Sequence, residues 1–263
     1  MTSHFTATSG ISMRKCQALE DFQQCVALER EIWEEEDLEV EPATAFVVAA
    51  NSGGQVLGAF DHGRMIGFTL ALVGLRDNVP YLHSHMTGIH SDYRDRGIGR
   101  MLKLFQRDEA LSRNIRTICW TFDPLELRNA YFNLNRLGAI CRQYLPNFYG
   151  VTTSPLHRGL ATDRLLAEWH LESARVIAAV AGAPVQVPEN AVAIEVSSKS
   201  AESLASTKAT ERPEPSADTH RLAASQTHLR DNFLKYFQRD FAAIAVRTGA
   251  PGPAYLLYPW SDF

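Results

Sequence analysis

Residues 86–110 read MTGIHSDYRDRGIGRMLKLFQRDEA, and the fold turns on how this stretch is understood. An apolar, β-leaning segment ends near Ile89. A polar turn follows, and then two glycines one residue apart, Gly97 and Gly99, lead into a run with Ile98, Leu102 and Phe105 at helical spacing. Arg94 to Arg107 holds five basic residues against one acid, Asp95, in a chain whose net charge is −4. Glycines at a strand-to-helix turn remove Cβ atoms where several backbone N–H groups point outward with the positive end of the helix dipole behind them. Such a turn suits a phosphate or pyrophosphate, and Arg94, Arg96 and Arg100 add charge-assisted donors. A Walker loop is absent, and a dinucleotide fingerprint fails because Leu102 stands where its third glycine belongs.

Working outward, Arg14 to about Leu38 reads as a helix with Leu19, Phe22, Val26 and Ile32 or Trp33 on one face, and ATAFVVAAN (43–51) as a short second helix or a turn. Residues 55–74 read as two strands turned at Asp61-His62-Gly63, and 79–89 as a third strand. Gly97–Arg113 is a helix, 115–122 a strand, and Asp123-Pro124 opens a helix that Gly138 ends. Residues 139–150 read as a strand and a loop, and 163–173 as another strand. The order predicts an α/β fold, a mixed sheet with helices packed on it. In the last third, 192–196 reads as a strand and Leu222, Leu229, Phe233 and Phe237 as a helix face, with a closing strand pair turned at GAPGP. Residues 197–219, rich in Ser, Thr, Ala, Glu and Pro, read as a flexible insertion.

With these elements around it, the segment from Met86 to Ala110 resembles the acyl-CoA-binding motif of the GNAT superfamily of N-acyltransferases. Arg94, Gly97 and Gly99 occupy the [Q/R]-x-x-G-x-[G/A] positions, and Ser91 replaces the usual proline. The resemblance divides the chain into a disordered N-terminus (1–13), a GNAT-like domain (14–175) and a C-terminal α/β extension (176–263). It implies acetyl-CoA or another acyl-CoA as co-substrate. The backbone of Arg94, Asp95, Arg96, Gly97, Ile98, Gly99 and Arg100 would hold the pyrophosphate. Gly88 and Ile89 would serve the pantetheine arm. Asn129 and Asn133, at i,i+4 spacing, share a helix face that either contacts the arm or an ordered water or is a solvated polar face.

Acyl transfer to an amine requires removal of an amine proton, a polarised carbonyl and a proton for the leaving thiolate. The family often takes that last proton from a tyrosine in N-x-x-A-x-x-x-Y-x-x-x-G-F. Here LRNAYFNLNRLGA (127–139) keeps Ala130 and Gly138 but has Leu134 in the tyrosine position and Ala139 for the phenylalanine. Tyr131 and Tyr149 are the substitutes to consider, a packed aromatic being the plain alternative for each. His83 and His85 alternate on the strand before the loop; His85, nearer the loop, is the candidate base, against the reading of an ordinary hydrogen-bonded strand histidine. Eight acids between Glu29 and Glu41 would attract a cationic amine or simply form a solvated helix end. RGLATDRLLAEWHLES (158–173) resembles a GNAT subgroup with a C-terminal extension, and Asp163, Arg164 and Glu168 there are either acceptor contacts or structural ion pairs.

The four scattered cysteines show no metal spacing and read as reduced thiols in a cytoplasmic protein, with no metal expected. The negative balance argues against nucleic acid, and no apolar run is long enough to span a membrane. The expected partner is a small-molecule amine, and a homodimer is compatible with the sequence. The competing readings are a CoA-binding regulatory or scaffold domain without catalysis and, more distantly, a dinucleotide-binding enzyme.

Overall fold

The computed structural model describes residues 10–33, 40–150, 160–196 and 217–262. It divides into two compact units, residues 1–118 and 119–263.

In the first unit, β1 (Ile11–Lys15), β2 (Gln55–Asp61), β3 (Arg64–Arg76) and β4 (Val79–Ile89) lie side by side in that order, each antiparallel to the next. Helices α1 (Leu19–Trp33), α2 (Ala43–Asn51) and α3 (Ile98–Ser112) pack on them. Of the N-terminus expected to be disordered through residue 13, residues 11–13 belong to β1, and residues 1–9 lie outside the described residues. Ile11 to Lys15 pair with Asp61 to Leu57, a ladder that local helical spacing around Arg14 could not foretell. Helix α1 starts later than expected, at Leu19. Asp21, in its first turn, accepts from the backbone N–H groups of Gln17 and Ala18 and from both Nη atoms of Arg14. This satisfies N–H groups that the helix itself leaves open. The buried face is Phe22, Cys25 and Leu28, which pack with Phe46, Val56, Phe68 and Leu70, whereas Leu19 is exposed. Tight hairpins join the strands, with His62 at positive φ before Gly63, and Asp77 and Asn78 both at positive φ.

In the second unit the strand order is β5 (Thr117–Phe122, entering from the boundary), β7 (Arg164–His170), β6 (Ile140–Leu145), β9 (Phe241–Arg247), β10 (Ala254–Pro259) and β8 (Val192–Glu195). The expected single helix from Asp123 is shorter. Asp123 Oδ1 accepts from Leu125 N–H in a local turn, α4 runs Leu127–Tyr131, and a π-helical turn covers Phe132–Arg136 before Gly138 ends it at φ +77°. Two more helices complete the unit: α5 (Ala174–Val180), capped by Ser173 Oγ, and α6 (Ala217–Phe237). β9 pairs antiparallel with β10 and meets β6 at Cys141–Ala243, so strands on both sides of residue 175 share one sheet. Most of the expected flexible insertion, residues 197–216, lies outside the described residues. All four cysteines are buried and none is in a disulfide, and among the described residues no helix is long and apolar enough to cross a membrane.

Candidate active site

The end of β4 is fixed before the loop begins. Ile89 pairs with Gly67, and His90 N–H donates to the Ile66 carbonyl at 2.9 Å. His90 is buried, and its Nδ1 accepts from Asp92 N–H at 3.2 Å, which folds Ser91–Tyr93 into a 3-10 turn. Arg94 is extended, Asp95 is left-handed at φ +61°, and Gly97 is left-handed at φ +79° as the N-cap of α3. The first helical bond runs from Met101 N–H to the Gly97 carbonyl. Ile98 is buried with Ala59 and Ile66 and anchors the helix start, so only its backbone N–H is left for a ligand.

The two glycines differ in what they require. Gly97 needs its left-handed backbone, but a Cβ there would meet nothing within 4 Å. Gly99 is already in the helix, where glycine costs about 0.5–1 kcal/mol against alanine. A Cβ there would touch only Ile89 Cγ1, at an ordinary 3.8 Å. Nothing in the protein forbids a side chain at position 99; what its absence provides is open space over the helix N-terminus. The residues therefore fit a phosphate-bearing ligand: a cradle that side chains would fill, with exposed Arg94 and Arg96 beside it. Arg94 Nε also reaches the Ile89 carbonyl at 3.2 Å, and the Arg96 guanidinium lies 5.3 Å from the Tyr93 ring centre. Gly88 is explained by packing instead, because a Cβ would come within 2.7 Å of Ile32 and 2.8 Å of Trp33 on α1.

Strand β4 carries a bulge just upstream. Leu70 pairs with Met86 but Ala71 with Ser84, which leaves His85 as the extra residue. The side chains confirm the slip: Ser84 Oγ and Thr87 Oγ1, three positions apart, both approach Thr69 Oγ1, at 3.4 and 2.7 Å. That face meets α3. Lys103 Nζ, buried, donates to Ser84 Oγ at 2.9 Å and to Gln106 Oε1 at 3.0 Å, and burial pushes its pKa down to about 7. The His85 ring lies on the other side of the strand with His83, centroids 6.4 Å apart. Burial, then His85 and Lys103, hold His83 below the usual histidine range, which keeps it neutral. His85 Nε2 lies 3.2 Å from Glu41 Oε1, and the Glu41 backbone N–H is held by Glu29 Oε1 at 3.0 Å. Sequence reading missed Glu41. It is one of eight acids in thirteen residues, and only the fold sets it opposite the bulge. Residues 34–39 of that acidic run lie outside the described residues.

The remaining candidates belong to the second unit. Asn129 Oδ1 accepts from Asn133 Nδ2 at 3.3 Å, so the pair shares a face as its spacing implies. Leu134 is fully buried and supplies no acid. Tyr131 is exposed and lines a small cavity with Asn135, Arg136 and Ala179. Tyr149 is 43% exposed, and its hydroxyl is 2.7 Å from Thr121 Oγ1. Asp163 and Glu168 have structural partners. Asp163 takes a two-pronged contact from Arg230, 2.8 Å to each oxygen, plus Tyr144 OH at 2.7 Å; Glu168 takes Arg142 Nη2 at 2.7 Å. Arg164 donates to the Asp163 carbonyl at 3.0 Å. Among the described residues no group of three or more His, Cys, Asp or Glu could hold a metal ion.

The acetyltransferase (GNAT) family model matches residues 17–132, which include the loop, the bulge and Glu41. Among solved structures, Arabidopsis thaliana NAA60 in complex with acetyl-CoA is 16% identical, with a TM-score of 0.52 over 62% of this chain and 99% of that one. An N-acetyltransferase from Staphylococcus aureus Mu50 is 14% identical, with a TM-score of 0.50 over 62% of this chain and 100% of that one. These two likenesses concern the fold. No curated protein matches.

Proposed function

We propose, from the premise that residues 17–132 form an acetyltransferase domain of the GNAT family, that the chain transfers an acetyl or related acyl group from a CoA thioester to a small, cationic amine. The observation that carries the donor half is Gly99, a helix-weakening residue whose missing side chain opens the α3 N-terminus. In this reading the opening N–H groups of α3, with Arg94, Arg96 and Arg100, hold the pyrophosphate, and the Gly88–Ile89 backbone guides the pantetheine arm.

Acetyl-CoA supplies the acyl carbon and the thiolate leaving group. The amine nitrogen bonds to that carbon, the carbon–sulfur bond breaks, and His85 takes the amine proton. An amine is mostly protonated near neutral pH, so a base beside the acceptor raises the reactive fraction as well as the rate. The acids from Glu29 to Glu41 favour a cationic acceptor over a neutral one. The thiolate takes its proton from solvent or from a tyrosine. Tyr149, with an exposed hydroxyl, is preferred to Tyr131, and Tyr149→Phe tests it: a fall in kcat with unchanged acetyl-CoA affinity is the expected result.

The primary test is calorimetric titration of the full chain with acetyl-CoA, succinyl-CoA and NAD, followed by release of free thiol in the presence of a panel of primary amines. Binding of a CoA ester without NAD binding, and amine-dependent thiol release, are expected. CoA binding without turnover for any amine would favour the non-catalytic regulatory or scaffold reading that Leu134 invites. No CoA binding at all would end the proposal.

A further inference from the structure

The proposed base has a partner of its own. His85 lies at the bulge in β4, where the extra residue leaves the ladder and the backbone is re-aimed. Its Nε2 is 3.2 Å from Glu41 Oε1, and both side chains are about one-third exposed, 30% and 33%. An ionised carboxylate only accepts hydrogen bonds, so the proton between them must sit on Nε2. In the neutral ring Nδ1 then carries the lone pair, and it has no hydrogen-bond partner among the described residues. Glu41 is itself held: its N–H donates to the buried Glu29, and Pro42 next to it fixes the start of α2. His83, kept neutral by burial, adds no competing charge on that face, while Lys103 from α3 lies with Ser84 on the other face of the strand.

We propose that Glu41 is a positioning residue for His85: it holds the Nε2–H tautomer and the ring orientation so that Nδ1 receives the proton of the acceptor amine. This inference rests on the acyltransferase reading above. In the step, the N–H bond of the attacking amine breaks as the nitrogen bonds to the acyl carbon, and the proton passes to Nδ1. Glu41 keeps its hydrogen bond to Nε2–H and stabilises the imidazolium that forms, without taking a proton itself. A carboxylate serving only to pin α2 against β4 would have no reason to favour either ring nitrogen.

The experiment has two independent readouts on the full chain. In histidine-15N-labelled protein, the His85 Nε2–H signal, assigned by its loss in His85→Gln, should be protected from solvent exchange in the wild type, retained in Glu41→Asp and lost in Glu41→Ala. In kinetics with the best amine found, His85→Gln should lower kcat on the order of 10²-fold. Glu41→Ala should lower it about 10-fold or more at unchanged acetyl-CoA affinity, with partial rescue in Glu41→Asp. Unchanged acetyl-CoA affinity also serves as the check that each variant is folded. An Nε2–H signal indifferent to Glu41 would overturn the pairing whatever the activity. A protected signal with normal kcat but a lowered melting temperature in Glu41→Ala would reduce Glu41 to a structural tie and overturn the proposal. Wild-type protein with the protected signal and no turnover on any amine would overturn the acyltransferase reading and, with it, the catalytic purpose of the pair.

Discussion

At the scale of single residues, Gly99 and Lys103 lie on one helix and make opposite statements about α3. Gly99 weakens the helix and leaves space, whereas Lys103 places a nitrogen where burial disfavours its charge. Gly99→Glu therefore tests the loop more cleanly than Gly97→Glu, because position 97 needs a left-handed backbone and adds strain of its own. Both should abolish CoA binding, by at least about 100-fold as a new carboxylate meets the phosphates. The melting temperature of Gly99→Glu should move by only a few degrees. Retained affinity in the folded variant would remove the loop assignment. Lys103 makes a prediction about pH. Its pKa is about 7 when folded and about the ordinary 10.5 when unfolded, so between these values the unfolded chain binds more protons. Stability from this group must then rise with pH across that window, by up to about 1.4 kcal/mol per pH unit. Below pH 7 the lysine is charged in both states and the burial penalty is fully present. Urea unfolding of wild type and Lys103→Met at pH 7, 8 and 9 measures it. The wild type should gain on the variant as pH rises, and parallel curves would show that Lys103 stays charged when folded.

At the scale of elements, the strands and helices with a strong period were legible, and the departures are places where partners override local pattern. Residues 55–61, 64–76 and 79–89 alternate or run apolar between clear turn residues, and they form strands as their sequence implies. Ile11–Lys15 is too short to show a period, and only β2 makes it a strand. The bulge at His85 cannot be seen in YLHSHMTGI, because the slip that puts Ser84 and Thr87 on one face is a matter of register with β3. The glycine turn into α3 was legible because glycine spacing and helix periodicity are local; the Glu41–His85 pair was not, because forty-four positions separate its members. Helix α1 offers a test at this scale. Arg14 first, and then the N–H groups of Gln17 and Ala18, hold the Asp21 carboxylate down to about 2 against the opposing effect of burial. A depressed carboxylate contributes stability that is present above its ordinary value near 4 and lost as pH falls through 2. Asp21→Asn should lower stability at pH 7 by about 1–2 kcal/mol, as expected for a part-buried charge-assisted contact whose arginine is half exposed to solvent. That difference should shrink as the wild type is acidified. A constant difference down to pH 3 would show that the helix start, rather than the ion pair, accounts for the loss.

At the scale of the whole chain, the question is whether the last third is an appendage. Reading the sequence against the family places a line near residue 175, but the contacts of residues 119–263 cross that line repeatedly. Asn135 both donates to the Val246 carbonyl and accepts from its N–H, at 3.2 and 2.8 Å. Arg175 reaches the carbonyls of Leu134, Gly138 and Ile244, which satisfies the end of the π-helical turn. Asp163 is fully buried. Burial raises its pKa, but Arg230, Tyr144 and the Asn147 N–H outweigh this and keep it ionised below the usual carboxylate range. Tyr255, also fully buried, donates to the Pro124 carbonyl, and Phe233 stacks on Tyr144. Ending the chain at 175 would strip β6 of its β9 neighbour, leave the Asp163 charge without its guanidinium, and open the core around Tyr144. Leaving a buried charge without its partner typically costs about 3–5 kcal/mol, a large share of the 5–15 kcal/mol that holds most domains. A 1–175 chain should therefore lose cooperative unfolding and near-ultraviolet circular dichroism, and Arg230→Ala in the full chain should lower the melting temperature in the same direction by a smaller amount. A truncated chain that unfolds cooperatively and binds acetyl-CoA like the full chain would show that residues 1–175 stand alone and that the later strands are an addition to them.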